Sequence, residues 1–126
     1  MLHRKILAFV IGVSQILLGF ALLFIPDLFF STLGFSSATS DQKYLYGQLA
    51  ARFLAFGIGM FVIARDPFRH HVWWDLMLLI QLIDLAVGGW GVWGSGVKFS
   101  VAAFPMANAL IFSLLLLLWR PNAAKS

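Results

Sequence analysis

The chain has 126 residues, 61% of them hydrophobic and only 11% charged, with a mean hydropathy of +0.91 and a formal charge of +4. Soluble domains carry about 25% charged residues, so this composition points to an integral membrane protein, one too short to add a soluble catalytic or nucleotide-binding domain. The nine basic residues form no patch, which speaks against nucleic-acid binding, and the absence of cysteine excludes disulfides, thiolate metal sites and covalent haem attachment.

An uncharged run of about 20 residues crosses roughly 30 Å of hydrocarbon as a helix. Ile6 to Ile25 is such a run, ended by Pro26-Asp27. His3-Arg4-Lys5 and Ser36-Ser37-Ala38 imitate the flanks of a cleaved leader. The run is longer than a leader core of about 7–15 residues, so a retained helix is expected. In residues 26–43, Phe29, Phe30, Leu33 and Phe35 are too apolar for a solvated loop, and Asp27 to Leu33, stopped by Gly34, predict a short helix in the membrane interface. Thr39 and Gln42 have the spacing of a capping box, which starts the second span at Ser40 or Tyr44 and carries it to Ala64 with Gln48 and Arg52 inside.

Asp66-Pro67 breaks the chain, and the third span runs from Val72 to Trp93, with Asp75 near its start and Asp84 near its middle. The Gly-Trp tract from Gly88 to Gly96 ends it. The fourth span, Phe99 to Trp119, has no charge and is interrupted only by Pro105, which should kink it, and Asn108. The predicted fold is all-α: a single integral membrane four-helix bundle with spans at about 6–25, 44–64, 72–93 and 99–119.

Arg4, Lys5, Arg65, Arg69, Arg120 and Lys125 fall on one side of these spans and only Lys43 and Lys98 on the other, so both termini are expected to be cytoplasmic. Trp73, Trp74 and Trp119 at the inner boundary, and Trp90 and Trp93 with Tyr44 and Tyr46 at the outer one, read as interface anchors.

Depth along each helix follows from the rise per residue. Arg52 is 12 residues from Ala64, Asp84 is 12 from Val72, Asn108 is 11 from Trp119 and Gln15 is 9 from Ile6. At about 1.5 Å per residue, all lie near the bilayer midplane. Gln81 joins them one turn from Asp84. An intramembrane charge costs about 2.5–3.5 kcal/mol on insertion scales, so Arg52 and Asp84 are expected to pair across the second and third spans. Ala55 and Gly59 beside Arg52, and Gly88 beside Asp84, would let the backbones approach. The pair reads either as structural glue or, with Gln15, Gln81 and Asn108, as the lining of a pocket for a polar head group or a proton.

His70-His71 beside Asp66 and Asp75 is the only cluster of metal-ligand residue types, but adjacent histidines on a helix diverge by about 100° and nothing nearby completes a shell. No metal or cofactor is expected. The bland reading of this segment is a turn in which Arg65, Asp66, Arg69 and Asp75 pair at the head groups. No nucleophile triad or phosphate loop is present, and Asp84 is the sole acid–base group at the midplane, so an enzyme is not expected.

Ala51-Arg52-Phe53-Leu54-Ala55-Phe56-Gly57-Ile58-Gly59, then Ala64-Arg65-Asp66-Pro67, then a span holding an aspartate, resemble the small four-helix bacterial membrane proteins of the DoxX-like group, with BphX-like proteins nearest. The resemblance covers about Ile6 to Trp119. It implies a bundle in the bacterial inner membrane associated with redox or catabolic systems, and supplies no catalytic residues. Two main readings result. One is an accessory or assembly subunit that contacts other membrane subunits or itself through small-residue faces. The other is a binder or carrier of a lipophilic small molecule, such as a quinone, lipid or aromatic compound. A small channel or transporter is a further alternative.

Overall fold

The computed structural model describes residues 1–37 and 39–122. Its helices are α1 (Leu2–Phe24), α2 (Pro26–Thr32), α3 (Ser40–Arg65), α4 (His71–Trp93) and α5 (Phe99–Leu118), with no strand among the described residues. The four long ones, α1, α3, α4 and α5, are each long and apolar enough to cross a membrane. The protein is therefore an all-α, multi-pass membrane bundle. Lys125, used in the orientation count, lies outside the described residues.

Local chemistry sets the helix ends. Thr39 Oγ1 accepts from the Gln42 amide at 3.2 Å while Gln42 Oε1 accepts from the Thr39 amide at 2.9 Å, the reciprocal cap expected from their spacing. Pro26 opens α2 at a position where a missing amide hydrogen costs nothing, and Gly34, at φ +91°, turns the chain beyond it. Lys43 Nζ, 3.0 Å from Asp27 Oδ2, ties α2 to the start of α3.

The long helices associate as two antiparallel pairs, α1 with α3 and α4 with α5. Helix association in lipid depends on close backbone packing, because lipid tails are as apolar as the side chains. Along α1 and α3 the small residues are Gly12 against Gly57 and Gly19 against Ala50. A Cβ added to Gly57 would lie 2.9 Å from the Gly12 carbonyl oxygen, and one added to Gly19 would lie 3.2 Å from that of Ala50. Seven residues forward on α1 match seven back on α3, a register that repeats every two turns. In the other pair, Met106 of α5 fills the space where a side chain at Gly88 would be.

The pairs join at the end formed by the start of α1 and the close of α5. Leu7, Ala8 and Ile11 of α1, Met60 and Ile63 of α3, Trp74 and Met77 of α4, and Phe112 and Leu116 of α5 form one buried cluster. Trp74 is fully buried at its centre, and its indole Nε1 donates to the Leu116 carbonyl at 2.9 Å. That corrects its expected role as an interface anchor. Tandem tryptophans on a helix point about 100° apart, so Trp73 faces outward and Trp74 inward. Trp73, Trp90 and Trp93 are exposed. Trp119 is half-buried, stacked edge-on against His3, and its carbonyl accepts from Arg4 Nε at 2.8 Å.

The head-group pairing expected around Asp66 and Asp75 also takes another form. Asp75 receives two bonds from Arg120, at 2.7 and 2.8 Å, which clamp α4 to the end of α5. That contact pushes the Arg120 guanidinium above its ordinary, already high pKa, so the cation persists throughout the physiological range. Asp66 caps the following turn by accepting from the Arg69 amide.

Candidate functional site

Toward the α2 end the two helix pairs part around a cavity of about 410 Å³, within the range of small-molecule sites. Its polar residues lie on one side. Gln15 of α1, Gln81 and Asp84 of α4, and Asn108 of α5 form a floor at the level set by the depth count. Above that floor Leu18 and Leu22 of α1, Phe53 of α3 and Val87 of α4 make apolar walls, and Phe29, Phe30 and Phe35 of the α2 segment line the far end of this half-open space. From Gln15 to Leu22 the apolar part extends about 10 Å at 1.5 Å per residue. A chamber with one polar end and one apolar end suits an amphiphile.

The floor is under-satisfied. Gln15 is 3% exposed, and its Oε1 is buried without a hydrogen-bond partner. Gln81, 2% exposed, makes only a 3.5 Å contact from Nε2 to Met77 Sδ. A buried carbonyl left without a donor costs about 1–3 kcal/mol. Pro105, one turn beyond Ala109, also lines the chamber, and its missing amide hydrogen frees the Val101 carbonyl.

Arg52 is the exception among the five residues expected at this level. It does not line the cavity and forms no ion pair with Asp84; among the described residues the ion pairs are Lys43–Asp27 and Arg120–Asp75. The expected pair fails because α3 packs its Ala50 and Gly57 face on α1 and makes only sparse contact with α4. Arg52 instead bends back along its own exposed face. Its Nη1 donates to the Gln48 carbonyl at 3.0 Å, and Gln48 Nε2 donates to Tyr44 Oη at 2.9 Å. This ladder with four-residue steps carries the cation toward the α2 end of the helix, as long basic side chains do in membranes. The sequence reading named all three residues without connecting them.

Ala55 and Gly59, expected to bring α3 close to α4, instead line a second, apolar groove of about 450 Å³ between those helices, with His70, Trp73 and Met77 opposite. A Cβ added at Gly59 would meet nothing within 4 Å. His71 Nδ1 lies 3.0 Å from the Phe68 carbonyl, and no three metal-ligand side chains converge among the described residues. Ser113, whose buried Oγ also lacks a partner, was not evident from sequence because serine commonly bonds back to its own helix.

Comparison with known protein families, with curated proteins and with solved structures gives no match to this chain.

Proposed function

We propose that this protein binds or carries a lipophilic small molecule, held between the two helix pairs with its polar end on the floor formed by Gln15, Gln81, Asp84 and Asn108. The observation that carries this reading is the gathering of Gln15, Gln81, Asp84 and Asn108 at one end of a space whose other walls are apolar. Polar groups collected there cost stability in the empty protein and are useful when a ligand pairs with them. The test is native mass spectrometry of the protein extracted from its own membrane in mild detergent. The reading expects a reproducible bound small-molecule mass that disappears in Leu18→Trp, which fills the chamber from α1. Absence of any such mass, or its persistence in Leu18→Trp, contradicts it.

A second reading, an accessory or assembly subunit, is favoured by the exposed Tyr44–Gln48–Arg52 ladder and the open groove beside Gly59. An arginine at midplane depth is relieved when a neighbouring subunit covers it. A copurifying polypeptide lost in Arg52→Leu and Gly59→Leu but retained in Leu18→Trp would favour this role.

The resemblance to DoxX-like and BphX-like proteins supports a place in the bacterial inner membrane beside redox or catabolic systems, and the excess of basic residues on one side of the spans supports cytoplasmic termini. Single cysteines introduced at Arg69 and Lys98 should then label from the cytoplasmic and the opposite side respectively. The reverse pattern would invert the topology.

A further inference from the structure

The cavity floor also selects for charge. Its lining contains one carboxyl group, Asp84, three carboxamides and no lysine, arginine or histidine. Arg52 and Lys98, each next in sequence to a lining residue, are not part of the lining, and Arg52 is engaged with the Gln48 carbonyl. A carboxylate or phosphate head group placed there would face Asp84 without a counter-ion in a low-dielectric setting, where like charges repel strongly. Asp84, the one charged group of the lining, therefore sets the sign.

Resting on the cavity reading above, we infer that the ligand is a lipophilic amine, bound as its ammonium ion with an N–H group donated to Asp84 and its apolar part directed toward α2. Neutral alcohols fit the same hydrogen bonds with less attraction. Carboxylates and phosphates do not fit.

Octylamine, octanol and octanoate share one tail and differ in head group, and at neutral pH the first is an ammonium ion and the last a carboxylate. Saturable binding of each is measured on the protein in phosphatidylcholine nanodiscs, with partition into empty nanodiscs subtracted. The inference expects octylamine to bind most tightly, octanol more weakly and octanoate not at all. Asp84→Asn should weaken octylamine about 30-fold or more, the scale of losing one partner of a desolvated charge pair, and by a clearly larger factor than it weakens octanol. Octanoate binding as tightly as octylamine, or octylamine affinity unchanged in a folded Asp84→Asn protein, overturns the inference. The wild-type series decides the matter if that variant does not fold. Octanol binding that is lost in Leu18→Trp, with octylamine no tighter, keeps the cavity reading and removes the amine. Saturable binding of none of the three removes both.

Discussion

The two ends of this bundle are built from the same four helices but obey different rules. At the end formed by the start of α1 and the close of α5, all four contribute to one buried cluster around Trp74, whose single polar atom is paired. Toward α2 the helix pairs separate, leaving a chamber whose buried glutamines are poorly satisfied. Packing and satisfied polar groups specify a fold, whereas an under-satisfied polar cavity detracts from stability unless a ligand completes it. The difference assigns stability to one end and binding to the other.

Breaking the packed end should have the largest effect. Trp74→Ala removes the central side chain and its bond to the Leu116 carbonyl, and should cost about 3–5 kcal/mol by analogy with large-to-small changes in packed cores. Reversible unfolding in mixed micelles would measure it, and a loss no larger than that of Trp73→Ala would remove the distinction between the two tryptophans. Next is the seam within one helix pair. Gly57→Leu must push against Ile16 and the Gly12 backbone, with an expected cost of about 1–3 kcal/mol or more, whereas Gly59→Leu enters open space and should leave the unfolding midpoint unchanged. Equal effects of the two substitutions would mean that α3 does not pack on α1 in this register.

Smaller effects distinguish the polar groups. If Arg52 and Asp84 do not interact, their double-mutant cycle in unfolding free energy should give a coupling near zero; a coupling of about 1 kcal/mol or more would restore the glue reading. The Asp75–Arg120 contact should give the slightest change, since Arg120 is exposed and held at the surface. Arg120→Gln is expected to leave the unfolding midpoint almost unmoved, and a large drop would place this clamp inside the core.

What was legible in the sequence was local or one-dimensional. The capping box at Thr39 and Gln42 depends on residues three apart, and the shared depth of Gln15, Asp84 and Asn108 depends only on a constant rise per residue. Which helices pair, and through which face, was not legible in the same way. α3 has two faces with small residues, Ala50 with Gly57 and Ala55 with Gly59, and both satisfy the requirement for close approach. The first also matches the seven-residue step between Gly12 and Gly19, a signal that was present but unused. Choosing the second face put Arg52 opposite Asp84. In the structure Leu49 and Phe53 face the cavity while Arg52, about 100° round the helix from Phe53, does not. Trp74 was misread for a related reason, since position near a span end does not say which of two adjacent rings faces lipid.

The unfolding free energy of Gln15→Leu, compared with wild type in detergent stripped of endogenous small molecules, tests the division of labour between the two ends most directly. Leucine keeps the bulk of glutamine and removes the orphaned carbonyl, so the variant should be more stable than wild type by about 1–3 kcal/mol. It should also lose any ligand that wild type retains in mild detergent. A Gln15→Leu protein less stable than wild type would show that Gln15 supports the fold, and would contradict the assignment of the α2 end to binding.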